Sequence, residues 1–261
     1  MNREAMLDRL NSLTGRIGFC CVDTVTGEAL RYHSDEPFVA ASVIKLCVLA
    51  EAFREREAGE LDFDETLRIR PGDKKPSCGA LTYMHDGLEV TIRDLAVLMI
   101  ILSDNTATNL LIDRLCTARI NAFMTSLGLS DATRCRRKLF MPELSAQGVT
   151  NHVTADDMAR LLSLMLEERL VSPSASREML SILRDQRLNG KMPFYLKPRN
   201  IPCAHKTGED YDDGVTHDVG IIWGQHPMIF CFLAEGADVP LAERAIQDLA
   251  LMAACPDVTI P

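Results

Sequence analysis

Apolar and polar positions alternate with a helical period at both ends and through the middle of the chain, and with a strand period near each end. Residues 2–12 put Leu7 and Leu10 on one side of a helix and charges on the other. Arg16 to Val22 is rich in β-formers, Asp23-Thr24-Val25-Thr26-Gly27 supplies a turn, and Glu28 to His33 returns, which predicts a hairpin. Ser42 opens a helical stretch to about Glu57, closed by Ala58-Gly59. Pro71-Gly72 and Ser77-Cys78-Gly79 punctuate a loop region. Thr91 to Leu102, Thr106 to Cys116 and Ala118 to Leu127 then read as successive helices with short connections.

From Ser130 to Val153 no period stands out, and Pro142 and Gly148 interrupt the stretch. It predicts a long surface loop, a feature that is usually functional inside a compact domain. Thr154-Ala155-Asp156-Asp157 starts another helix with acidic residues in its first turn, where the macrodipole favours them. A further helix runs from about Ser174 to Arg187. Ile201 to Thr207, Thr216 to Trp223 and Met228 to Ala234 are short strand patterns, and Leu241 to Cys255 closes as a helix. Strands at both ends around a helical block predict an α/β (α+β) protein with an all-α insertion. Residues 1–41 and 191–261 would form the α/β part, and 42–190 the helical part.

Composition narrows the function classes. The chain has 261 residues, 47% apolar and 25% charged, with a formal charge of −9. That length suits one large domain or two interlocked ones. Net negative charge without a basic run argues against nucleic-acid binding, because phosphates would be repelled. The nine cysteines are scattered and include no C-x-x-C, so neither a zinc knuckle nor a redox pair is indicated. The charged N-terminus lacks a secretory apolar core, and the longest apolar run, Leu95 to Leu102, is too short to span a bilayer. Together these features predict a cytoplasmic protein without a membrane partner. Cys20, Cys21, Cys203 and Cys231, on strand patterns, read as small core residues.

Three short motifs carry candidate chemistry. Ser42-Val43-Ile44-Lys45 sits at a helix start, and its spacing puts a hydroxyl and an amine on one helical face. An amine so placed can take the hydroxyl's proton, and a helix N-terminus offers free N–H groups to a developing oxyanion. Taken alone, Ser42 is an ordinary N-cap and Lys45 an ordinary surface residue. Ser103-Asp104-Asn105 lies between two apolar helices, where its bland role is a capped turn. Lys206-Thr207-Gly208 ends a strand pattern.

In combination and in this order, S-x-x-K, S-D-N and K-T-G are the set that marks class A beta-lactamases and penicillin-binding proteins. The chain resembles the class A beta-lactamase-like serine hydrolases over almost its whole length. Val90-Thr91-Ile92-Arg93-Asp94-Leu95 and Thr106-Ala107-Thr108-Asn109-Leu110-Leu111 are further matches. The resemblance implies an antiparallel sheet flanked by N- and C-terminal helices, with an inserted all-α domain. It implies no cofactor and no metal. Ser42 would be the acylated nucleophile, Lys45 its activating amine, and Ser103 the proton relay to the leaving nitrogen. Asn105 would bind the substrate's amide side chain. Lys206 and Thr207 would receive its carboxylate, and Gly208 would keep the strand edge clear. The backbone N–H groups of Ser42 and Glu209 would form the oxyanion hole. Tyr83 is either an aromatic wall of the pocket or a loop residue packing nearby. The implied substrate is a small amide or beta-lactam. Other readings are a penicillin-binding sensor that acylates without turnover, a hydrolase of another small amide or peptide, and a DD-peptidase-like enzyme.

Two departures from the family pattern stand out. Class A enzymes hydrolyse the acyl-enzyme with a loop Glu in a pattern resembling E-x-E-L-N. Here, matching on Pro142-Glu143-Leu144 puts Met141 in the place of that Glu and Ser145 in the place of its Asn partner. A second frame, Glu143-Leu144-Ser145-Ala146-Gln147, makes Glu143 the base. Without a group to align water on the ester, turnover would be slow. The second departure is the absence of an Arg before Gly220-Ile221-Ile222, where Thr216-His217-Asp218-Val219 stands instead. The neighbouring Glu209-Asp210-Tyr211-Asp212-Asp213 carries four carboxylates and no base, and reads as a solvated turn or as an acidic rim disfavouring anionic substrates. His205 and His217 lie in strand patterns, and Ser–Lys chemistry requires neither.

Overall fold

Capping side chains set where most helices begin in the computed structural model, which describes residues 1–76 and 79–256. Ser77 and Cys78 of the expected loop punctuation lie outside the described residues. Asn2 accepts the Ala5 N–H and starts α1 (Arg3–Asn11). The predicted hairpin follows as β1 (Arg16–Asp23) and β2 (Ala29–Tyr32), and a short β3 (Phe38–Val39) comes next. The expected helix from Ser42 starts later than its N-cap chemistry suggests. Ala41–Ile44 is a single 3₁₀ turn, and α2 runs Lys45–Glu57. The reason is local: Ala41 has φ +42°, and Val43 N–H bonds back to Ala40 O at 2.9 Å.

A two-stranded ribbon, β4 (Thr66–Arg68) with β5 (Glu89–Thr91), precedes α3 (Ile92–Ile101). Thr91 and Asp94 cap α3 reciprocally, as a Thr followed three residues later by an acid favours. Asp104 caps α4 (Asn105–Leu115), and α5 is Thr117–Ser126. The segment expected to be a surface loop contains α6 (Pro142–Ala146) and β6 (His152–Val153). Parts of it are buried, including Thr133, Cys135 and Asn151. Then come α7 (Ala155–Leu166), α8 (Pro173–Arg184) behind the Ser172 cap, and α9 (Pro193–Leu196). The chain ends with β7 (Cys203–Asp210), β8 (Val215–Trp223), β9 (Pro227–Glu235) and α10 (Val239–Ala254), the last capped by Asp238.

These elements divide into two units. One comprises Met1–Val43, His152–Ser163 and Leu188 onward. Its five-stranded sheet has the order β2-β1-β9-β8-β7, every neighbouring pair antiparallel. Residues His152–Ser163 join this unit because β6 pairs with β3, Phe38 opposite Val153. The core packs Phe19, Phe230 and Phe232 with Met6 and Leu10 of α1 and Ile246 and Leu249 of α10. The Phe19 ring meets Phe230 edge to face at 5.3 Å, so truncating either ring would cost about 3–5 kcal/mol. The other unit, Ile44–Asn151 with Leu164–Arg187, is built on α2, α3, α4, α5 and α8. It was expected to be all-α, but it carries the β4–β5 ribbon.

Candidate active site

In the helical unit, Lys45 is fully buried as the first residue of α2. Its Nζ donates to Ser103 O at 2.7 Å, Ser103 Oγ at 2.9 Å and Asn105 Oδ1 at 2.9 Å. These three acceptors are uncharged oxygens. Ser103 makes this possible by adopting a left-handed backbone, φ +54°, which costs a non-glycine residue roughly 1–2 kcal/mol. That turn brings its carbonyl and its hydroxyl to the same amine. Of the residues singled out by their spacing, Lys45, Ser103 and Asn105 converge.

The residue between them does a different job. Asp104 is fully buried; one carboxylate oxygen caps α4 at Ala107 N (3.0 Å) and the other accepts Leu81 N–H at 2.8 Å. A Cβ on Gly79 would lie 2.3 Å from that carboxylate, so only glycine fits there. Asn105 Nδ2 donates to Pro76 O (3.0 Å), and Thr106 Oγ1 accepts Lys75 N–H (2.9 Å). The start of α4 thus ties down the loop around residues 75–81. Tyr83, just beyond it, is 78% exposed.

The Met141 region is also anchored by α4 and α5. Asn109 bonds both backbone groups of Leu139, at 2.9 and 2.7 Å. Asn121 does the same for Cys135, at 2.9 and 2.8 Å. Asn151 accepts from Arg136 and Arg137 N–H and donates to Arg137 O. The three carboxamides replace ladder partners for an otherwise irregular backbone. Met141 is the N-cap residue of α6 with no side-chain cap bond, and Ser145 Oγ bonds back to Met141 O at 3.3 Å. Glu143, in the first turn of α6, is exposed.

In the sheet unit, Ser42 is half-buried in the 3₁₀ turn, directly after the left-handed Ala41. Lys206, Thr207 and Gly208 are buried in β7, where Lys206 Nζ donates to Thr207 O at 2.8 Å. A Cβ on Gly208 would meet Val43 Cγ2 at 3.1 Å, His217 Cδ2 at 3.1 Å and Ala40 O at 3.4 Å. The glycine therefore lets the K-T-G strand lie close against the turn that carries Ser42. His217 donates through Nε2 to Val39 O at 2.8 Å and accepts Ala234 N–H at Nδ1. Burial, with the Lys191 charge adding, pushes its pKa down to about 4. His205 is equally committed, with Nδ1 at 2.8 Å from Asp218 Oδ1, whose other oxygen accepts Met192 N–H.

Lys191 was not legible in the sequence. It is 3% exposed, lies 3.0 Å from Glu209 and 3.6 Å from Glu243, and sits over the Tyr211 ring at 6.0 Å. The acidic stretch after K-T-G therefore does have a base. Glu209 pairs with Lys191, and Asp210, Asp212 and Asp213 are exposed.

The comparisons agree with this architecture. Residues 3–254 match the model of the Beta-lactamase enzyme family. Beta-lactamase L2 of Stenotrophomonas maltophilia is 26% identical over 241 residues, 90% of this chain and 78% of that protein. A beta-lactamase crystal structure from Sphaerobacter thermophilus superposes with a TM-score of 0.88 and 32% identity, covering 100% of this chain and 98% of that one. A point mutant of PBP-A, solved as an acyl-enzyme complex with penicillin G, gives 0.85 and 26%, covering 97% and 94%. No helix among the described residues is long and apolar enough to cross a membrane. With its mixed sheet-and-helix fold, its S-x-x-K, S-D-N and K-T-G motifs and a family match spanning nearly the whole chain, this protein belongs to the beta-lactamase enzyme family and is a class A beta-lactamase-like serine hydrolase.

Proposed function

We propose that the protein opens the amide of a beta-lactam or a related small amide through an ester on Ser42, and that this ester is released slowly. The observation that carries the reading is the hydrogen-bonded Lys45–Ser103–Asn105 cluster. In this account Ser42 Oγ attacks the substrate carbonyl, and its proton passes to Lys45 once that amine has shed one of its three. The tetrahedral oxyanion accepts from the N–H groups of Ser42 and Glu209. As the C–N bond breaks, Lys45 returns a proton through Ser103 Oγ, 2.9 Å away, to the leaving nitrogen. Asn105 binds the amide side chain, and Lys206 and Thr207 receive the carboxylate. Gly208 leaves the strand edge open, and Tyr83 forms an outer wall. Water then cleaves the ester.

The last step sets the rate. Met141 stands in the family frame where a base would align the water, and Glu143 is solvent-exposed beside it. Substrate class rests on the relatives: one is named a beta-lactamase, another is an acyl-enzyme with penicillin G. No disulfide joins the described cysteines, which supports work in the reducing cytoplasm. Intact-protein mass spectrometry after incubation with penicillin G tests the proposal. Ring opening expels no fragment, so the expected adduct carries the whole antibiotic and is absent from Ser42→Ala. An adduct that survives Ser42→Ala, or none on the parent, overturns it.

A further inference from the structure

His217 carries no role in the chemistry above, yet it joins the two backbone segments assigned to the oxyanion. Its ring is fully buried and its hydrogen-bond roles are fixed by what surrounds it. The Ala234 N–H at 3.1 Å can only donate, so Nδ1 accepts and the proton sits on Nε2. Nε2 then donates to Val39 O at 2.8 Å. The Ala234 N–H lies beyond the point where regular pairing stops: the β8–β9 register ends at Asp218 opposite Phe232. One neutral ring thus accepts the Ala234 N–H and donates to the Val39 carbonyl.

One of these bonds and one strand neighbour connect the ring to the two parts of the site. Val39 ends β3, and only Ala40 and the left-handed Ala41 separate it from Ser42. On the neighbouring strand, His217 is the register partner of Gly208, and a Cβ there would be 3.1 Å from its ring. Gly208 immediately precedes Glu209. Moving the ring would shift the Ser42 turn, the Glu209 N–H, or both. Val39 N–H is held separately by Glu235 Oε2 at 3.2 Å, so β3 has an anchor besides the ring.

We infer that His217 is a positioning residue that sets the spacing between the Ser42 and Glu209 N–H groups, through Val39 on one side and Gly208 on the other. It touches no reacting atom. The inference rests on the reading of Ser42 as the acylated nucleophile.

Two substitutions separate the ring's two bonds. His217→Asn keeps an acceptor where Nδ1 stands and removes the Val39 donor. His217→Gln keeps a donor where Nε2 stands and removes the Ala234 acceptor. With penicillin G, the acylation rate constant of His217→Asn should fall at least tenfold, with apparent substrate affinity within about threefold of the parent. His217→Gln should recover the rate to within about threefold. Circular dichroism and melting verify that each variant is folded. Parental acylation in folded His217→Asn overturns the inference alone, leaving Ser42 chemistry intact. If His217→Asn does not fold, His217→Gln decides: a parental rate supports the inference and a tenfold loss overturns it. Failure of both to fold shows a purely structural role and also overturns it. Absence of any adduct on the parent removes the Ser42 reading and this inference together.

Discussion

Lys45 and Glu143 are both charged side chains of the helical unit, and their surroundings are opposite. The Lys45 ammonium is fully buried and meets three oxygens at 2.7–2.9 Å, two of them on a residue held in a left-handed conformation. Glu143 lies exposed on a five-residue helix, next to a methionine. Strain and desolvation are tolerated at the first place and not at the second. A buried cation persists only where its partners are fixed, whereas a solvated carboxylate needs none. On the proposed reading, the groups that would make the ester are held in place and the group that would break it is not.

The largest effect should come from removing the held group. Lys45→Met should slow Ser42 acylation by on the order of 10³-fold, the usual worth of a positioned proton carrier, as read from the rate of adduct formation. It should also lower the melting temperature, because Ser103 and Asn105 would lose a buried donor at about 1–3 kcal/mol. Parental acylation by a folded Lys45→Met would remove this side of the comparison. The unheld side is tested by adding what is missing. Met141→Glu should raise the ester's hydrolysis rate by on the order of 10²-fold, whereas Glu143→Gln should change it less than about twofold. A large loss in Glu143→Gln would make Glu143 the base and restore the second reading of that loop.

Acid separates held from unheld groups in stability as well. The folded pKa of His217 is pushed down to about 4, below its ordinary 6.5. Its contribution is complete above about pH 6.5 and is lost as pH falls toward 4, on the order of 3 kcal/mol in all. Urea midpoints should fall across that window in the parent and stay flatter in His217→Gln; identical profiles would refute the assignment. Thiol reactivity gives the smallest effect. Burial pushes Cys20 up to about 12 and also raises Cys21 and Cys231, whereas Cys116 is exposed. A disulfide reagent should label Cys116 in the native protein, and those three only after unfolding.

What the sequence revealed divides along the same line. S-x-x-K and S-D-N are local patterns whose chemistry depends on neighbours within a turn, so Ser42, Lys45, Ser103 and Asn105 could be read directly. The helices and the three C-terminal strands were legible from their periods. The stretch from Ser130 to Val153 was not, because Asn109, Asn121 and Asn151 hold it by carboxamide bonds instead of a hydrophobic stripe. Nor was the pairing of Lys191 with Glu209, which joins a loop to a strand and leaves no trace in spacing. The left-handed Ala41 and Ser103 were equally invisible: their side chains do not ask for that backbone, and the surrounding packing imposes it.

On the proposed reading, the site supports acylation and not deacylation. A rapid-mixing time course with a chromogenic cephalosporin, sampled in parallel by intact-protein mass spectrometry, tests it directly. The account predicts a burst equal to the enzyme concentration, full conversion to an adduct on Ser42, and a steady rate at least about 10²-fold below the burst. Steady turnover from the first cycle, with no accumulated adduct, would contradict it.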